Sequence, residues 1–86
     1  MASVRIGARN AARVGGVLNQ VSRRGSVPAD IRANANHWAS VMDRTMDRRD
    51  LRAVVRLLAD LGADRSLSAR RQREARYWAA YLEAQL

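Results

Sequence analysis

Arg5, Arg9, Arg13, Arg23 and Arg24 fall within the first 26 residues, and no aspartate or glutamate accompanies them. A guanidinium group has a fixed charge and a planar fork of donors that fits phosphate oxygens. Arginines gathered without carboxylates therefore predict a polyanion as partner, with DNA ahead of RNA. Arg70, Arg71, Arg73 and Arg76 form a second group near the C-terminus, where the five arginines from Arg65 onward meet only Glu74 and Glu83. Between Val27 and Asp64 six arginines meet six aspartates, so the net charge of +8 resides in the two ends. All 16 basic residues are arginine. A coding bias explains arginine in place of lysine, but not an acid-free start. The competing reading of the same charge is a solvated basic surface.

No other residues assemble a reactive set. His37 is the only histidine and has no serine or cysteine nucleophile at a recognised spacing. Asp43, Asp47, Asp50, Asp60 and Asp64 are interleaved with arginines and read as ion-pair partners, Arg56 with Asp60 at i,i+4 among them. The glycines form no phosphate-binding loop, and the absence of cysteine excludes disulfides and thiolate metal sites. The expectation is a protein that is not an enzyme, with no catalytic residue, metal or cofactor. Trp38 and Trp78 read as core. Trp38, Tyr77, Trp78 and Tyr81 could stack on bases or anchor a protein partner, and Tyr77, which projects away from the apolar arc of its helix, is the best candidate for an exposed contact.

These side chains need elements to hold them. Ser3 to Ile6 alternates at strand periodicity. From about Ala8 to Arg24, Val14, Val17, Leu18 and Val21 recur at helical spacing and Gly25 follows as a stop; Gly15 and Gly16 weaken this first helix by about 1 kcal/mol each. Pro28 opens a second helix with Ile31, Ala35, Trp38, Met42 and Thr45 on one face and Val41 beside them. Asp47 is placed as the N-cap of a third helix carrying Leu51, Val54, Val55, Leu58 and Leu61 and ending at Gly62, although helices two and three could form one kinked rod. A fourth begins near Ser66 or Ser68 and presents Ala75, Trp78, Tyr81, Leu82 and Leu86. Arginines near its start oppose the helix dipole, or else prepare a phosphate cradle. No internal repeat is expected.

The predicted fold class is all-α: a small bundle of three to four helices in a single domain spanning residues 1–86, with a short N-terminal strand or an extended basic arm over residues 1–10. A domain of this size buries only about 60% of the surface its unfolded chain exposes. No stretch approaches the roughly 20 apolar residues of a membrane span, and no apolar secretory core follows Met1, so no membrane partner and a cytoplasmic location are expected.

The stretch Ala12-Arg13-Val14-Gly15-Gly16-Val17-Leu18-Asn19-Gln20-Val21-Ser22-Arg23-Arg24 resembles a motif of MobC-type plasmid mobilisation proteins, an Arg-Ile-Gly run leading into Leu-Asn-Gln-Ile and a basic residue. The resemblance implies a relaxosome accessory that binds DNA and a relaxase, with Asn19 and Gln20 in the partner contact. A strand at Ser3 to Ile6, a helix to Arg24, a Gly25-Ser26 turn and a second helix from Pro28 together resemble a ribbon-helix-helix repressor, with Arg5 directed from a two-stranded ribbon into the major groove. That similarity implies a homodimer, because each subunit would supply one strand.

Two functions are therefore expected as alternatives. One is a nucleic-acid-binding accessory or regulatory factor of a mobile element. The other is a small phage-type adaptor or inhibitor that binds an acidic protein surface or a larger nucleoprotein assembly through the apolar faces of its third and fourth helices.

Overall fold

The computed structural model describes residues 3–86. A three-residue strand, β1 (Ser3–Arg5), leads through Gly7 into α1 (Ala8–Ser22); α2 (Ala29–Val41) returns antiparallel to it. A second short strand, β2 (Thr45–Asp47), then precedes α3 (Arg48–Gly62) and α4 (Ala69–Glu83). The order is strand-helix-helix, twice. Gly7 sits at φ 90°, a region that a Cβ disfavours, and so lets the chain turn from strand into helix. Residues 3–10 are thus a paired strand and the start of a helix, not an arm.

The two units match residue by residue. Buried Ala11, Val14, Val17, Leu18 and Val21 of α1 correspond, 40 positions on, to buried Leu51, Val54, Leu57, Leu58 and Leu61 of α3. Val27 likewise maps to Leu67, Ala35 to Ala75 and Trp38 to Trp78. The strands pair antiparallel with Val4 opposite Met46, Ser3 opposite Asp47 and Arg5 opposite Thr45, which with the 40-residue offset places a pseudo-twofold axis through the Arg5–Thr45 pair. At the opposite end of the molecule Ser26 Oγ lies 3.4 Å from the carbonyl of Ser66, its equivalent in the second unit. The molecule is therefore two αα-hairpins side by side, with α1 against α4 and α2 against α3. A ribbon clasps one end, the interhelix turns meet at the other, and the whole measures 37 × 20 × 20 Å.

Several expectations are corrected by this arrangement. There is an internal repeat. β2 separates the second and third helices, so they are not one rod, and Thr45 lies on the exposed face of the ribbon and not on a helix face. α1 ends at Ser22, three residues before Gly25, with Arg23 as its C-cap in a right-handed conformation. Asp47 does stand at the N-cap of α3, but its side chain makes no capping bond; Ser68 does so for α4, accepting from the Arg71 N–H at 3.2 Å. Leu57 joins the core beside the anticipated stripe, and Trp38 is only half-buried. The ribbon takes both strands from one chain, so it needs no dimer.

The core is continuous across both hairpins. Leu18, Leu51, Leu58, Leu61 and Leu82 are fully buried along with Val14, Val21, Val27 and Val54, and no polar or charged residue is buried among the described residues. Gly16 stands in the middle of α1 with nothing within 4 Å of where a Cβ would sit. Gly16→Ala is expected to stabilise the protein by about 0.5–1 kcal/mol, from helix propensity without a steric cost. Thermal denaturation should show a Tm raised by a few degrees.

Candidate nucleic-acid interface

The packing of α1 against α4 aligns two chemically different walls. Antiparallel helices place the start of α1 beside the end of α4, where Asn10 Nδ2 donates to the Tyr81 hydroxyl at 3.0 Å and to the Ile6 carbonyl at 2.8 Å. Next to this contact an open groove of about 550 Å³ is lined by Arg9, Asn10 and Arg13 from α1 and by Glu74, Tyr77 and Trp78 from α4. It continues towards the interhelix turns as a smaller recess of about 190 Å³, where Gln20 and Arg71 face each other across Gly16 and Val17. One wall is cationic and the other aromatic.

The aromatic wall is ordered by its own contacts. Trp78 is buried, 8% exposed, and forms the base of the cluster, with the ring of Tyr77 edge-on to it at 5.1 Å and that of Tyr81 at 5.6 Å. Tyr77 and Tyr81 lie nearly parallel, 15° apart, with centroids at 6.5 Å. Tyr77 is nonetheless 61% exposed, as its position outside the apolar arc implies, and Tyr81 is 36% exposed. Such edge and offset contacts restrain rings while leaving a face open.

The guanidinium groups remain largely unpaired. Among the described residues the one ion pair is Arg71 with Glu74, at 2.6 Å within α4. The expected Arg56–Asp60 pair does not form. Arg5, Arg9, Arg13, Arg23 and Arg24 are all exposed and none meets a carboxylate within 4.0 Å. In the C-terminal group Arg70 and Arg73 are exposed, whereas Arg76 donates to the Gly62 carbonyl at 2.7 Å. Its stem lies so close that a Cβ on Gly62 would fall 2.4 Å from Arg76 Cγ. Arg76 therefore braces α4 against α3.

Apart from Arg76 and the exposed Arg73, the arginines named from the sequence divide three ways. Arg9, Arg13 and Arg71 line the α1/α4 groove. Arg23 and Arg24 belong to the α1–α2 turn, which the Ser26–Ser66 contact sets beside the α3–α4 turn that carries Arg65 and leads to Arg70. Arg5 is on the exposed face of the ribbon with Ser3, Thr45 and Asp47, apart from the groove. Asn19 and Gln20 also separate: Gln20 faces α4, whereas Asn19 lines a different shallow groove of about 700 Å³ between α1 and the end of α2, with Gly15, Ala39, Met42 and Arg44. Asn10 was not anticipated, since a hydrogen bond that spans 71 residues leaves no local trace.

The internal repeat supplies a comparison within the molecule. The positions equivalent to Arg9, Arg13 and Gln20 on α3 are Arg49, Ala53 and Asp60; those equivalent to Arg71, Tyr77 and Trp78 on α2 are Ile31, His37 and Trp38. The backbone frame is the same on both sides, but only the α1/α4 side carries the three arginines and the exposed tyrosine. The second side keeps Arg49, an exposed His37 and a half-buried Trp38, but has no counterpart of Arg13, Arg71 or the Tyr77 phenol.

No family model, curated protein or solved structure matches this chain. Among the described residues no helix is long and apolar enough to cross a membrane.

Proposed function

We propose that this protein is a non-enzymatic nucleic-acid-binding factor, DNA being preferred to RNA, that holds phosphates with arginines of α1 and of the adjoining turns. The observation that carries the reading is the absence, among the described residues, of any carboxylate partner for Arg5, Arg9, Arg13, Arg23 and Arg24. Unpaired guanidinium groups raise the local positive potential, and a polyanion releases its counterions on binding them. The resemblance of Ala12–Arg24 to the MobC-type motif extends the proposal to an accessory of plasmid mobilisation with a relaxase as second partner. That segment forms most of the exposed length of α1 and its following turn. The adaptor reading is weakened by the fold, because the apolar faces of α3 and α4 that would anchor a partner pack into the protein's own core.

Fluorescence anisotropy with a labelled DNA duplex across a salt series tests the proposal. Affinity is expected to fall steeply with salt, the log–log slope losing roughly 0.7–0.9 for each phosphate contact removed. The double variant Arg9→Gln, Arg13→Gln should weaken binding alike for unrelated sequences and flatten the slope by about 1–2. Binding at low salt that is absent for both duplex and single strand, or an affinity indifferent to salt, would overturn the reading.

A further inference from the structure

We infer that the α1/α4 groove is a site for single-stranded nucleic acid, in which an unpaired base stacks on Tyr77 while Arg9 and Arg13 hold the flanking phosphates. The inference rests on the nucleic-acid reading above and narrows it to a substrate class. Phosphate attraction alone does not require an aromatic wall. A ring that is 61% exposed, yet fixed edge-on against Trp78 and parallel to Tyr81, offers a π-face at little conformational cost. Bases in a duplex are already stacked on one another and turn only their edges outward; a single strand can present a face to Tyr77.

Electrostatics favour the same occupant. Arg9 and Arg13 face the rings across the groove, so that a backbone running along α1 would place its bases towards α4. Glu74, the one carboxylate in the groove, is engaged by Arg71 at 2.6 Å and does not present an uncompensated charge. The pseudo-symmetric face, with Ala53 for Arg13, Asp60 for Gln20 and His37 for Tyr77, lacks this pairing of cations with an exposed phenol ring. One face of the molecule is thereby selected as the binding face.

The test compares a labelled oligothymidylate of about 12 nucleotides with a labelled hairpin duplex at the same moderate salt. The single strand is expected to bind at least about tenfold more tightly. Tyr77→Ala should weaken single-strand binding by about 5- to 150-fold, the range that one base–aromatic stack supplies, with duplex affinity and the salt slope unchanged. Tyr77→Phe should retain single-strand affinity, and His37→Ala, at the equivalent position of the other face, should have no effect. An unaltered far-UV circular dichroism spectrum and Tm certify that the exposed substitution leaves the fold intact. Equal loss on both ligands, or no loss on either, would overturn the single-strand site while leaving salt-dependent phosphate binding in place. Failure of both ligands to bind at low salt would remove both proposals together.

Discussion

Leu58→Ala is expected to cost about 3–5 kcal/mol of folding stability, the upper part of the range for truncating a leucine in a closed core. Leu58 is fully buried on α3, within the core that both hairpins share. Removing three carbons there forfeits their transfer from water and leaves a void that the surrounding helices can only partly close. A domain of 86 residues has about 4–13 kcal/mol of net stability at the usual 0.05–0.15 kcal/mol per residue. The substitution therefore removes between a quarter of the stability and all of it. Urea unfolding followed by tryptophan fluorescence should show a lower midpoint with an unchanged m-value. Leu18→Ala, at the equivalent position of α1, should cost a similar amount, within roughly 1 kcal/mol, if the two units share one core. A loss below about 1 kcal/mol at either position would mean that the hairpins do not close on each other as described.

Met46→Asp is expected to destabilise by about 3 kcal/mol or more. Met46 is 5% exposed and sits opposite Val4 at the centre of the ribbon, on the side that faces the core. A carboxylate there would lose its hydration without gaining a partner, and both the desolvation and the lost apolar contact act against folding. The ribbon joins the two units at one end, so the damage should fall on their association first. Thr45→Asp provides the control, because Thr45 is in the same strand with its side chain in solvent, and it should change stability by no more than about 0.5 kcal/mol. Similar effects from the two substitutions would show that the inner and outer faces of the ribbon are not distinguished.

The repeat left signs in the sequence that periodicity did not bring out. Ser26 and Ser66, Ala29 and Ala69, Ala35 and Ala75, Trp38 and Trp78, and Ala39 and Ala79 are identical at a spacing of 40 residues, but the intervening surface positions have diverged in charge and size. Asp30 stands where the second unit has Arg70, and Asp64 where the first has Arg24. Those exchanges separate a cationic face from a mixed one without changing the buried positions. β2 was hidden for another reason. Thr45-Met46-Asp47 contains a single apolar residue, too little for an alternating pattern, and its hydrogen-bonding partner lies some 42 positions earlier.

What the amino-acid order determined by itself was the local part: four amphipathic helices, the turn before Pro28, an acid-free N-terminal stretch and an exposed Tyr77. Each depends on neighbours within about one or two helical turns, and the 3.6-residue period records them directly. Tertiary structure alone decided that Arg9 and Arg13 face Tyr77 and Trp78, that Arg76 is spent on a backbone carbonyl, that Asn19 and Gln20 look into different grooves, and that both strands of the ribbon come from one chain. These relations join residues from about 14 to more than 60 positions apart, and they are set by which helix faces pack together once apolar surface is withdrawn from water.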